Sequence, residues 1–326
     1  DNENNLHLVA GAVSIGGNAG GGAFTVGLNE STTSAYILGS DYDAYRTQIK
    51  TNNANGAVNV NANSRTNINH TAVAGAAAGS VGVAGSVSVN ILNGTTQAYI
   101  KQTDVGSDTN KAGQVMVSAH DDVALDTDAG SVAIGGTAGV GASVAVNILK
   151  SRVTSNIEDS KVYSGQAVEV ASTSKNNINS LTFTGGAGGT VGISGAVVVN
   201  MVGSDVVDTA KGGDEANDEA GGTISGVDSA ISGIGNTVTE DILPEDGDVL
   251  TDSERTEITD NTGSSVKAIS YGNDAAAAKY QTSANVVGAN SVIDAASLKV
   301  VATDNTSTRS TVGGVAGGAV GLGAGV

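Results

Sequence analysis

The chain is 326 residues long with 47 glycines, one proline, no cysteine and only 3% aromatics, and it carries a formal net charge of −18. The lack of cysteine excludes disulfides, thiolate nucleophiles and zinc–thiolate centres. The acidic balance argues against nucleic acid as a partner, since phosphates call for clustered Lys and Arg, and no apolar run approaches the roughly 18 residues of a membrane helix. The apolar stock is mainly alanine and valine, so a core built from it must be thin and held largely by regular backbone hydrogen bonding.

Taken in chain order, the sequence repeats two short motifs. The first is "FTVGL" at 24–28, "VSVNI" at 87–91, "VAVNI" at 144–148 and "VVVNM" at 197–201, with steps of 63, 57 and 53 residues; "AGGAVGLGAGV" at 316–326 overlays "AGGTVGISGAV" at 187–197. The second is "VNVNA" at 58–62, "VMVSA" at 115–119, "VEVAS" at 168–172 and "LKVVA" at 298–302, with steps of 57, 53 and 130. Two motifs that keep step with one another mark a real repeat. Each block of about 55–65 residues holds a Gly-Ala stretch, a V-x-V-x-I stretch, a polar turn and a V-x-V-x-A stretch. Asn55-Gly56 and Asn93-Gly94 supply turn chemistry.

Inside the valine stretches the period is two. Val81, Val83, Val87, Val89 and Ile91 share one face, while Ser86, Ser88 and Asn90 share the other, which predicts strands. The polar set is expected to face outward and to stack as ladders in successive coils. Short strands in tandem with a small-residue core predict an all-β fold, a parallel β-helix or β-solenoid, over 1–203 and again over 269–326. At about 20–30 residues per coil, roughly 11–16 coils at ~4.8 Å each predict a rod of about 50–80 Å. Both ends fall inside the pattern, so the sequence reads as a piece of a longer chain.

The long step locates an insert at 204–268, rich in acids and holding Pro244. Ile224, Val227, Ile231, Ile234 and Val238 follow helical spacing there, against Gly226, Gly233 and Gly235. Insertions in repeat arrays are often binding elements. Within it "PEDGDVLTDSE" is dense in oxygen ligands, which makes Asp246, Asp248 and Asp252 the candidates for calcium, although their spacing is not that of an EF-hand loop. No other metal or cofactor is indicated.

Candidate catalytic groups are sparse. His7, His70 and His120 lie far apart and are expected at the surface; no nucleophile elbow occurs, the nearest sequence being "GISGA" around Ser194. The acid pairs Asp41 and Asp43, Asp121 and Asp122, and Glu158 and Asp159 occupy different block positions, unlike the aligned acids of glycan-active β-helix enzymes. Asn29, Asn69, Asn93 and Asn305 fit the glycosylation sequon, as chance allows in so Asn- and Thr-rich a chain.

The alternation "GSVSVNIL", "AYI" and V-x-V-x-A, in blocks with Gly-Ala tracts, resembles the repeat regions of large bacterial filamentous-haemagglutinin-like and leukotoxin-like adhesins exported by type V routes. The resemblance covers most of 5–203 and 270–326. It implies a right-handed parallel β-helix, secreted or at the cell surface, that serves adhesion to cells, glycans or matrix; it assigns no site residue. A self-assembling extracellular filament subunit, with copies joined through open terminal coils, is the second expectation, and a glycan-active enzyme the third.

Overall fold

A computed structural model describes residues 1–40, 46–51, 55–203, 206–207, 270–271 and 280–326. The calcium candidates Asp246, Asp248 and Asp252, the helical spacing from Ile224 to Val238, and Asp41 and Asp43 lie outside the described residues.

Three parallel sheets wind around one another as a β-solenoid. The first coil contains β1 (Asn2–Gly16), β2 (Ala19–Leu38) and β3 (Thr47–Ile49); the second contains β4 (Val58–Ala78), β5 (Val81–Lys101) and β6 (Thr103–Val105). The third is β7 (Val115–Gly135), β8 (Ala138–Glu158) and β9 (Lys161–Tyr163). The fourth begins with β10 (Ala167–Gly188) and β11 (Val191–Val202). After the two-residue antiparallel pair β12 (Val206–Val207) and β13 (Ser270–Tyr271), it resumes with β14 (Thr282–Val287) and β15 (Val292–Asp294). The fifth holds β16 (Ser297–Gly317) and β17 (Val320–Gly325). Sheet A stacks β1-β4-β7-β10-β16, sheet B stacks β2-β5-β8-β11-β17, and sheet C stacks β3-β6-β9-β15.

Register follows the sequence repeat residue for residue. Val58, Val115, Val168 and Leu298 form one column of sheet A; Phe24, Val87, Val144 and Val197 form one column of sheet B. One block is therefore one whole coil, which corrects the expected coil of 20–30 residues. Strands of 21 residues extend about 70 Å, whereas five coils stack to only about 20 Å. The solenoid is a broad slab and not a slender rod. The reason is the placement of turns. Asn93 and Gly94 lie inside β5, paired with Lys150 and Ser151 of β8, and make no turn. The chain reverses between sheets A and B at Gly17-Asn18, Gly79-Ser80, Gly136-Thr137 and Gly189-Thr190, where the turns stack by backbone bonds such as Ser80 N to Gly17 O (2.8 Å) and Thr190 N to Thr137 O (2.9 Å).

The interior changes character along the slab. Beside sheet C it is aliphatic, with Val58, Val60, Ile100, Val105, Val115, Val153, Ile157 and Val168 in one cluster. Ile68, Leu92, Leu125, Leu149 and Ile178 follow. Toward the A–B turns the sheets converge on alanine and glycine: a methyl group at Gly141 would lie 2.5 Å from the carbonyl oxygen of Gly185. Only glycine permits that approach, and it explains much of the Gly-Ala tract.

The fourth coil carries the insertion. Gly203 N bonds Leu149 O (2.9 Å), and Val153 N bonds Gln281 O (3.0 Å), so the chain leaves and rejoins the same strand of sheet B. Residues 204–280 stand where the third coil has Ser151 alone.

Candidate functional site

Between the leucine layer and the glycine end, the two large sheets face each other with polar side chains. Ser86, Ser88 and Asn90 are buried at 1%, 0% and 0% exposure, so they point inward. The expected facing is thus reversed: Val87, Val89 and Ile91 lie on the outer side of sheet B, where Val89 and Ile91 pack with Val146, Ile148 and Met201. Alternation alone cannot say which half of a two-sided strand is interior, and here the buried half is the polar one.

Asn147 holds the centre of this interior. Its Oδ1 accepts from Asn90 Nδ2 (2.8 Å) and Thr127 Oγ1 (2.8 Å), and its Nδ2 donates to Asn200 Oδ1 (2.8 Å) and Ser180 Oγ (2.9 Å). All four bonding positions of the amide are filled. Asn200 continues the column by donating to Ser310 Oγ (2.8 Å). A parallel serine column runs from Ser86 to Ser143 (2.9 Å) and on to Ser131 (3.0 Å). The ladders expected on the surface therefore exist in the interior as well.

In the first coil the asparagine position is Gly27. His70 of β4 fills the vacated space: a methyl group at Gly27 would lie 2.0 Å from His70 Cε1. His70 is 0% exposed, and neither ring nitrogen has a hydrogen-bond partner. This corrects the expectation of a surface histidine. Burial pushes its pKa below the ordinary value, with the neighbouring Asn90 side chain opposing.

The candidate acids do not converge. Asp121 points inward and accepts from Ser151 Oγ (2.8 Å); burial raises its pKa against the hydrogen bonds of Ser151 and Ser64. Asp122, next in the strand, faces outward beneath Lys175 Nζ (3.4 Å). Glu158 pairs with Lys101 at 2.8 Å. At the corner leading to sheet C, Arg46 Nε bonds Asp104 Oδ1 (2.9 Å) and its Nη2 bonds the carbonyl of Asp159 (2.6 Å), joining three coils. His7 lies on the outer face of β1 and His120 on that of β7. Ser194 points inward on β11 and is buried. Asn29, Asn69, Asn93 and Asn305 all sit within strands. Among the described residues, no group of three or more His, Asp or Glu is placed to hold a metal ion.

The outer face of sheet A carries exposed polar pairs. On its sheet C half, polar side chains pair coil to coil. Ser118 Oγ donates to Asn61 Oδ1 (2.8 Å), Asn67 Nδ2 to Asn5 Oδ1 (2.9 Å), and Asn179 Nδ2 to Asp126 Oδ1 (2.8 Å). Lys299 Nζ pairs with Glu169 Oε1 at 2.7 Å. The result is a planar array of amides, hydroxyls and charges repeating every ~4.8 Å.

No family model, curated protein or solved structure matches this chain. It is a β-solenoid repeat protein on its register alone. The elements that sequence reasoning missed, the buried Asn90–Asn147–Asn200 column and the inward His70, carry one visible signal: Asn recurs at the same place in three blocks, opposite a Gly in the first.

Proposed function

We propose that this chain is a segment of a bacterial surface or secreted adhesin, a β-solenoid that presents a flat outer face to cells, glycans or biofilm matrix and does no chemistry on them. The observation that carries this reading is the polar half of the outer face of sheet A. Its amide, hydroxyl and charged groups recur at fixed spacing across stacked coils, which suits repetitive polyhydroxylated surfaces better than a single concave ligand pocket does. Each such contact is weak, and a repeating face multiplies it. The resemblance of the repeats to filamentous adhesins supports the same reading.

The test is retention of protein-coated beads on bacterial cells, host epithelial cells and purified matrix polysaccharide. Specific retention is expected, with competition by soluble glycan. Joint replacement of Asn67, Asp126, Lys175 and Asn179 by alanine is expected to reduce it without changing the circular dichroism spectrum. Retention no greater than that of beads coated with an inert protein, on all three surfaces, refutes the proposal.

A further inference from the structure

The turn-side half of the same face has the opposite chemistry. Three adjacent outward columns of sheet A are apolar there, and a fourth beside them is mixed. One reads Val13, Gly75, Val132, Gly185, Val315; its neighbour reads Gly11, Val73, Gly130, Phe183, Gly313. The next toward the turn reads Ile15, Ala77, Ile134, Ala187, Gly317, and on the far side lie Val9, Thr71, Asp128, Leu181 and Thr311. In the two central columns large and small residues alternate from coil to coil, out of phase with one another. These two columns form a checkerboard of knobs and holes repeating every second coil.

Each knob leans over the glycine of the next coil. A methyl group at Gly75 would meet Val13 Cγ2 at 3.5 Å, at Gly185 it would meet Val132 Cγ2 at 3.6 Å, and at Gly313 Phe183 Cδ2 at 3.5 Å. The knobs are nevertheless uncovered in the middle of the stack: Val73 is 50% exposed, Val132 44%, Ile134 53% and Phe183 47%. The contrast with the outer face of sheet B is sharp, since Val146 and Ile148 are 5% and 3% exposed there.

We propose that this half of sheet A is a pairing surface for a second copy of the same chain, docked face to face. Self-complementarity points to that occupant. A checkerboard shifted by one coil places its own knobs over its own holes, and sheets packing face to face interdigitate in this way. Size agrees: four columns about 6.8 Å apart and the four coils that overlap after this shift, about 4.8 Å apart, give roughly 520 Å² per copy, or about 1,000 Å² in a pair, at the lower edge of specific interfaces. Charge agrees as well. Asp128, at the margin, is the sole ionisable residue in these four columns, so two copies bring no opposed like charges to the centre. The pairing is lateral and independent of both the adhesive reading and any joining through terminal coils.

Sedimentation velocity across a concentration series, with the full 326-residue chain, tests it. The expected result is a monomer–dimer equilibrium that stops at two. Val132→Asp and Phe183→Asp each place a charge at the centre and are expected to weaken association at least roughly tenfold. Gly185→Leu fills a hole without adding charge and is expected to weaken it too, while Asn67→Ala on the polar half leaves it unchanged. Because the chain has no cysteine, a single spin label at Thr71→Cys should report a dipolar contact between copies that Val132→Asp abolishes. Circular dichroism melts establish that each variant is folded. A chain that stays monomeric at its highest soluble concentration overturns the proposal. So does self-association indifferent to all three central variants, and so does growth beyond two copies that those variants suppress.

Discussion

Asn147→Ala isolates the polar interior. The wild-type amide makes four hydrogen bonds and is 0% exposed. Truncation leaves Asn90 Nδ2 its bond to Thr127 Oγ1 (2.8 Å) and leaves Ser180 Oγ its bond to Asn200 Oδ1 (3.0 Å). What remains orphaned is one N–H of Asn90 and the hydroxyl proton of Thr127, both buried, besides one acceptor site each on Ser180 and Asn200. Two unpaired donors at about 1–3 kcal/mol each predict a loss of about 2–6 kcal/mol, before any cavity term. Asn147→Leu orphans the same groups and leaves no cavity, its methyls being bulkier than the amide, so a loss shared by both variants is not a cavity effect. The assay is urea unfolding followed by far-ultraviolet circular dichroism, with hydrogen exchange to locate the loss. Exchange should accelerate first in the third and fourth coils, because neighbouring coils stabilise one another. A change below about 0.5 kcal/mol in both variants would refute the reasoning, since it would mean that water substitutes freely for the ladder.

Four further outcomes follow from the geometry and electrostatics. Gly141→Ala forces a methyl group to 2.5 Å from Gly185 O and should cost at least about 2 kcal/mol, whereas Gly22→Ala, with nothing within 4 Å, should be nearly neutral; melting temperatures decide. His70 has a depressed folded pKa, so below about 6.5 the unfolded chain takes a proton that the folded chain refuses. Stability should therefore fall as pH drops through that value, and His70→Leu should flatten the slope between pH 7.5 and 5.5. Asp121 has the opposite sign: its raised folded pKa means that its contribution is lost as pH rises through that raised value, so Asp121→Asn should stabilise the chain at neutral pH. Arg46→Ala removes the clasp over Asp104 and the Asp159 carbonyl. It is expected to cost about 1–3 kcal/mol, with Arg46→Lys recovering only part, as measured by urea midpoint.

The strand class, the parallel stacking and the register were legible in the residues. The steps of 57 and 53 between V-x-V-x-A motifs are the same offsets by which Val58, Val115 and Val168 pair. The length of a coil was not legible. Strands of this length have no internal punctuation, and of the two Asn-Gly pairs that looked like turns, Asn55-Gly56 lies outside the strands while Asn93-Gly94 is simply spanned by β5. Facing was not legible either. In most two-sided sheets apolar residues mark the interior, but Asn147 and Ser143 are buried while Val89 lies outside. Among the described acids, Asp121 and Asp122 lie on sheet A and Glu158 on sheet B, in different columns, and pattern alone could not show that Asp121 and Asp122 serve opposite faces.

The seam at Gly203 and Gln281 has a consequence for how such chains change over time. Its two sides re-enter one strand about two residue steps apart, or roughly 7 Å, and the backbone pairing on either side is that of an unbroken strand. Any polypeptide unit whose own ends lie that close together meets the geometric condition for splicing at this point. The coil would not notice the exchange. A gene for such a chain can gain, lose or swap cargo here while the scaffold stays constant, and the same seam offers a protein engineer a ready port for grafting.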